Sequence, residues 1–219
     1  MTVGECLVEV AGATLALLPE RAIYWPAERT LLLADLHLGK AASFRAAAIA
    51  VPEDVTGADL ARLDHMLART GATRMIILGD LLHARSSRDQ GLLAALALWR
   101  SRYRGLPIVL VRGNHDRSAG DPPQSWAITC VDAPYYQAPF ALCHEPDQAA
   151  EHYTLAGHLH PAVELRGRGK QRERLPGFIF GPHRGLLPAF GSFTGAATIR
   201  PNAQDRVYVI ADNTVIGPL

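Results

Sequence analysis

Apolar positions along the chain follow two rhythms. Residues 14–18, 22–25, 30–34, 74–78 and 107–111 form short, nearly continuous apolar runs with the length of buried strands. Between them the spacing turns helical. A helix-like stretch covers 41–48. Another, over 59–69, places Leu60, Leu63 and Leu67 at i, i+3 and i+7 before a stop at Gly71. A third, over 90–103, aligns Leu92, Leu96, Trp99 and Tyr103 on one face. Strand and helix thus alternate, as in a parallel sheet covered by helices. From residue 127 the rhythm shortens to strand-like pieces at 127–131, 140–143, 153–156, 162–165, 178–180 and 206–210, with one short helix candidate around 147–151. No repeat, low-complexity tract or linker divides the chain. The pattern predicts a single α/β domain with two sheets over residues 1–219.

Polar residues gain meaning from where these runs end. The run over 30–34 leads straight into Asp35-Leu36-His37, that over 74–78 into Gly79-Asp80, and that over 107–111 into Arg112-Gly113-Asn114-His115-Asp116. The carboxyl ends of parallel strands form the crevice where α/β sheets bind ligands. Three polar clusters therefore converge. The second half adds His144 after one strand-like piece and Gly157-His158-Leu159-His160 after another. On an extended backbone the outer residues of Asp35-Leu36-His37 and of His158-Leu159-His160 would face one side. Gly79, Gly113 and Gly157 each precede a polar residue, where a missing Cβ permits a sharp turn or close approach.

Two Asp, one Asn and four His, without a thiolate, suit Mn²⁺, Fe²⁺ or Zn²⁺ better than Mg²⁺ or Ca²⁺ alone. Seven ligands exceed one tetrahedral zinc but suffice for two ions sharing a carboxylate. Two such ions, about 3.5–4 Å apart, stabilise both the attacking and the leaving oxygen at phosphorus. A lone His or a lone Gly-Asp is more often a surface residue or a turn, and His65 and His152 read that way. Five clusters in order at strand ends do not.

Composition changes this picture little. Apolar residues make up 48% and charged residues 20%, which is globular. A net charge of +1 gives no global basic field for nucleic acid, although a local patch could serve. Cys6, Cys130 and Cys143 are scattered and read as free thiols. The first basic residue is Arg21, so no basic signal start is visible, and no apolar run approaches the ~20 residues of a membrane span. A cytoplasmic protein without membrane contact is the expectation.

With those residues in place, the sequence resembles the calcineurin-like metallophosphoesterase superfamily. Asp35-x-His37, Gly79-Asp80, Gly113-Asn114-His115-Asp116, His144 and Gly157-His158-x-His160 carry the likeness. The resemblance implies two β-sheets packed face to face with helices outside, in α-β-β-α layers. It implies one metal held by Asp35, His37, Asp80 and His160, and another by Asp80 as bridge, Asn114, His144 and His158. His115 would assist the leaving oxygen as a general acid rather than bind metal, and Asp116 joins the catalytic candidates. Many phosphatases of the superfamily read Gly-Asp-x-x-Asp, whereas this chain reads Gly79-Asp80-Leu81-Leu82-His83. His83 would then tune His115, or else merely cap the following loop. Asp-x-His-Leu-Gly with Gly-Asp-Leu-x-His looks like the branch of DNA double-strand-break repair nucleases. Further stretches resemble the bacterial ligase-associated DNA-damage-response endonuclease family. These are Ala34-Asp35-Leu36-His37-Leu38-Gly39-Lys40, Gly157-His158-Leu159-His160-Pro161 and Leu187-Pro188-Ala189-Phe190-Gly191-Ser192-Phe193-Thr194-Gly195.

Basic residues give weaker candidates. Lys40 and Arg45 would begin the helix after the first ligand pair and could touch a substrate phosphate. Residues 166–174, with Arg166, Arg168 and Lys170, read equally as a mobile loop on a phosphate backbone or as a solvated hairpin tip. The primary expectation is a two-metal phosphodiester hydrolase, a nuclease in DNA repair with Mn²⁺ as the favoured ion. The partners implied are DNA or another phosphodiester, and DNA repair ligase, helicase or exonuclease proteins. A phosphodiesterase of small esters such as cyclic nucleotides is the alternative, and a non-catalytic repair scaffold the third.

Overall fold

The structure, a computed structural model, describes residues 4–46, 48–49, 51, 55–85, 90–149 and 151–219. Sixteen strands are described, in two sheets. The first sheet carries β1 (Cys6–Val10), β2 (Ala13–Leu18), β3 (Ala22–Trp25), β4 (Thr30–Leu33), β5 (Arg74–Leu78), β6 (Ile108–Val111) and β7 (Ile128–Val131) in sequence order. Its first four strands pair antiparallel, and β4 to β7 pair parallel. The parallel half is the part that the strand-helix alternation predicted. α2 (Val55–Thr70) follows β4 after the short α1 (Lys40–Ala46), α3 (Gln90–Arg102) follows β5, and α4 (Asn114–Ala119) follows β6.

The continuous apolar runs are explained by burial on both faces. Leu31, Leu33, Met75, Ile77, Ile108 and Leu110 pack under α2 and α3 with Leu60, Leu63, Met66, Leu96 and Trp99. Their alternates Leu32, Ile76, Leu78, Val109 and Val111 face a second core shared with Phe140, Leu142, Leu155, Phe178 and Phe180. That core joins the two sheets. At about 25 cal/mol per Å² of apolar area, burial of this extent is the main force holding the layers together.

The second sheet runs β14 (Ala197–Thr198), β11 (Pro161–Arg166), β12 (Arg172–Phe180), β13 (Arg184–Leu186), β10 (Tyr153–Ala156), β9 (Phe140–Cys143) and β8 (Tyr135–Gln137). β15 (Arg206–Ala211) pairs with β12, and β16 (Thr214–Ile216) with β15. The two-sheet sandwich is as expected, but its helices are distributed differently. α2 and α3 cover the first sheet only, and no α-helix follows α4 among the described residues. The outer face of the second sheet is closed by a small cluster of Val163, Ile179, Leu186, Val207 and Val209. The helix expected around 147–151 is replaced by turn and bend at its described residues, and residue 150 lies outside them. Its five residues span little more than one helical turn, too short to repay nucleation. Residue 47 of the expected 41–48 helix also lies outside the described residues. No helix among those described is long and apolar enough to cross a membrane.

Candidate metal centre

Every predicted metal-type residue sits just beyond the carboxyl end of a strand or at the start of α4, and the backbone there leaves the extended form. Asp35, His37, Asp80, His158 and His160 all have positive φ, between 45° and 65°. This corrects the expectation that an extended backbone would align Asp35 with His37 and His158 with His160. Left-handed conformation is costly for residues with a Cβ and persists only where surroundings enforce it. Here the enforcement is a lattice of backbone bonds. The N–H groups of Asp35 and His37 donate to the carbonyls of Gly79 (3.2 Å) and Asp80 (2.8 Å). Gly79 has φ +80°, and a Cβ on it would overlap the His144 ring. A Cβ on Gly157 would overlap the Asp35 carboxylate.

Asp35 and Asp80 are buried, and each commits one oxygen to a backbone amide. Asp35 Oδ2 accepts from His158 N–H at 2.9 Å, and Asp80 Oδ1 from His115 N–H at 3.0 Å. The other oxygens face the histidines. Asp80 Oδ2 lies 3.6 Å from His37 Nε2 and 3.5 Å from His144 Nε2, between the two groups of ligands. Asp35 Oδ1 lies 3.3 Å from His160 Nε2 and 3.7 Å from His144 Nδ1, yet has no hydrogen-bond partner among the described residues. Burial pushes the Asp80 carboxyl above its usual range, opposed by His144 and reinforced by Asp35.

The imidazoles present lone pairs to the same place. His144 Nδ1 lies 3.1 Å from the Leu78 carbonyl, which can only accept, so Nδ1 holds the proton and Nε2 the lone pair. The same reasoning at the Gly195 carbonyl, 3.0 Å from His160 Nδ1, leaves His160 Nε2 unprotonated. His144 Nε2 then lies 2.9 Å from Asn114 Oδ1 and 3.0 Å from His158 Nδ1. His37 Nε2 and His160 Nε2 are 3.4 Å apart. Burial first, then the charges of His160, His115 and Lys40, lowers His37 to about 2, so it stays neutral. Acceptors crowded this closely, beside a buried carboxylate oxygen with no donor, fit cations between them. Three groups result, each with ligand atoms within 4.8 Å of one another: Asp35, His37 and His160; Asp35, Asp80 and His144; and His37, His83 and His115. Asn114 and His158 adjoin the second.

His115 and His83 form a pair that adjoins His37. His115 Nδ1 donates to the His83 backbone carbonyl at 2.6 Å, which leaves Nε2 with its lone pair. The rings stack with centroids 5.0 Å apart and 23° between planes. Burial, then His115 and Lys40, lowers His83 to about 4. His115 also meets His37 edge-on at 4.9 Å. Asp116 points elsewhere. Its buried carboxylate accepts the N–H groups of Asp80 (2.7 Å), Leu81 (3.0 Å), Leu82 (3.3 Å) and Gly113 (3.0 Å). It holds the loop that carries Asp80.

The basic candidates separate. Lys40 opens α1, and its charge bears on both His37 and His83. Arg45 lies in the last turn of α1 rather than at its start, because the helix ends at Ala46. Arg166, Arg168 and Lys170 lie on the β11–β12 hairpin, away from the ligand clusters.

Sequence reasoning missed the support beneath Asp35 and His160. Phe190 and Gly191 donate their N–H groups to the carbonyls of Ala34 (2.8 Å) and Asp35 (3.1 Å), and four residues on Gly195 holds His160. Two α2 residues clamp this segment. Asp59 accepts the Ser192 N–H at 3.2 Å, and Arg62 donates to the Phe190 carbonyl while lying over its ring at 4.1 Å. Asp59 is buried on the helix stripe with Leu60, Leu63 and Met66. An acid on an apolar stripe was the available signal.

The residues from 28 to 177 match the family model described as calcineurin-like phosphoesterase. Nuclease MPE from Pseudomonas putida, whose crystal structure is solved, is 47% identical to this chain. The match covers 97% of this chain and 100% of that one, with a TM-score of 0.85. The phosphoesterase YfcE from E. coli is 16% identical over 86% of this chain and 96% of that one, with a TM-score of 0.44. No curated protein sequence matches. With two thirds of its length in the family model and its metal-type residues brought together at one place, this chain belongs to the calcineurin-like phosphoesterase family.

Proposed function

We propose that the protein is a two-metal nuclease that hydrolyses phosphodiester bonds in DNA during repair, with Mn²⁺ as its ion and Fe²⁺ or Zn²⁺ as alternatives. One observation carries the reading: Asp80 Oδ2 stands about equally far from His37 Nε2 and His144 Nε2, a placement that suits a ligand shared between two ions. Asp35, His37, Asp80 and His160 would hold one ion, and Asp80, Asn114, His144 and His158 the other. When bound, such ions supply Lewis-acid stabilisation of charge on phosphoryl oxygens and activate water. The likeness to nuclease MPE supports a nucleic-acid substrate.

The protein's own groups do the rest. His115, fixed by the His83 carbonyl, presents Nε2 outward, where as an imidazolium it can hand a proton to the leaving oxygen. His83 takes the place of an orienting carboxylate through its backbone oxygen and its stacked ring. Asp116 is a positioning residue for the Asp80 loop. Lys40 offers a cation to a substrate phosphate beside His37. DNA repair ligase, helicase or exonuclease proteins as partners belong to the same proposal.

A matrix of Mn²⁺, Fe²⁺, Zn²⁺ and Mg²⁺ against plasmid, single-stranded DNA, a cyclic nucleotide and an aryl phosphodiester tests this reading, with Asp80→Asn as the blank. Manganese-dependent DNA cleavage absent from the blank is expected. Cleavage restricted to the cyclic nucleotide would move the substrate to small phosphodiesters, and metal-free wild-type activity would remove the metal role.

A further inference from the structure

The β11–β12 hairpin carries five cations that the metal centre does not use. Its place follows from strand register. β9, β10 and β13 are parallel, with Ala156 level with Cys143 and Leu186, and His144 and His158 follow at that edge. β12 runs against β13, pairing Ile179 with Leu186, so its residues before Ile179 continue past the ligand-bearing edge. β11 begins immediately after His160 and runs alongside, with Ala162 opposite Pro176 and Arg166 opposite Arg172. Six residues of strand separate His160 from Arg166, about 20 Å at ~3.4 Å per residue. The hairpin is an arm rooted at a ligand and projecting beyond the cleft.

Alternation decides which side of the arm is basic. Val163, Leu165 and Leu175 join the cluster on the outer face of the sheet. Glu164, Arg166, Arg172 and Arg174 point the other way, to the side from which Phe178 and Phe180 enter the core between the sheets. Arg168 and Lys170 occupy the turn, and all five cations are exposed. Glu164 lies 2.9 Å from Arg166 and 3.8 Å from Arg172, so one acid serves two cations, and Glu173 sits on the opposite side. Positive charge is therefore concentrated here in a chain of net charge +1. Exposed guanidinium groups with no aromatic among them suit phosphates rather than bases.

We propose that this arm grips the backbone of DNA about six nucleotides from the phosphate at the metal centre, counting ~3.4 Å per phosphate along a duplex strand. The proposal rests on the nuclease reading above. It predicts that substrates shorter than the arm's reach are handled without it.

The test compares wild type with R166A/R168A/K170A/R172A/R174A, and with R166K/R168K/R172K/R174K, which keeps the charge. Binding of a fluorescein-labelled oligonucleotide of about 40 nucleotides is measured by anisotropy over about 50–300 mM salt, and its cleavage alongside. Hydrolysis of an aryl phosphodiester is the control for folding and for the metals. The alanine variant should bind the long oligonucleotide at least about tenfold more weakly, with a salt slope shallower by about 2 or more. It should hydrolyse the aryl ester as wild type does, and the lysine variant should bind as wild type does. Unchanged binding and salt slope in the alanine variant would overturn the proposal, as expected of an arm that instead met an acidic protein. If wild type binds DNA through the arm yet never cuts it, the nuclease reading fails and the arm stands. If wild type neither binds nor cuts DNA, both fail.

Discussion

Asp80 is the residue on which the proposed chemistry turns, and its environment makes the role testable. A buried carboxylate beside Asp35, with its proton affinity raised by burial, costs stability when no cation balances it. Asp80→Asn should therefore leave the metal-free protein at least as stable as wild type in urea, while hydrolysis disappears. Marked destabilisation of the metal-free variant would assign Asp80 to structure instead. His115→Ala should lower kcat by about two to four orders of magnitude with metal content intact. Metal loss in that variant would make His115 a ligand. The buried histidines set a pH dependence whose sign is fixed. His37 and His83 are lowered to about 2 and about 4 in the fold, against about 6.5 in the unfolded chain. Between those values the unfolded state binds more protons, so this part of the stability is complete above about pH 6.5 and is lost as pH falls. The urea midpoint of the metal-free protein should drop from about pH 7 to about pH 5, and less steeply in a His37→Gln, His83→Gln double variant.

At the scale of elements, what was legible in the sequence follows burial. β4, β5 and β6 were plain because both faces are covered, so every residue must be apolar. β1 was not foreseen, since exposed Glu9 interrupts its apolar run and only Val8 and Val10 are buried at this sheet edge. The seven ligand-type residues were legible because chemistry restricts them to few residue types at strand ends. The backbone bringing them together was not. The left-handed turns at Asp35 and His37 depend on bonds to Gly79 and Asp80, some forty residues later, which no local pattern encodes. Asp59 stood out only as an acid on an apolar stripe, and what it and Arg62 clamp was not legible, as Ser192 lies 133 residues from Asp59. Their clamp predicts that Asp59→Ala costs about 1–3 kcal/mol of stability and weakens metal affinity, because Ser192 N–H loses its buried acceptor and the Gly195 support of His160 loosens. Isothermal titration with Mn²⁺ reads the second effect. Unchanged affinity would reduce the clamp to ordinary packing.

Across the whole molecule, the metal centre lies where the two sheets meet. Asp35, Asp80 and Asn114 come from the ends of β4, β5 and β6, and His144, His158 and His160 from the ends of β9 and β10. Ions bound there would tie one sheet to the other in addition to the apolar core. Saturating metal, at about a hundredfold over Kd, should add about 2.7 kcal/mol to the unfolding free energy for each ion bound, about 5.4 kcal/mol for two. The most direct test is the number of Mn²⁺ ions bound per chain, measured by elemental analysis on gel-filtered protein whose DNA cleavage is followed in the same preparation. Two ions per chain in active wild type, and at most one in an inactive Asp80→Asn variant, are predicted. Full cleavage by a variant that has lost its second ion would contradict the shared-carboxylate centre.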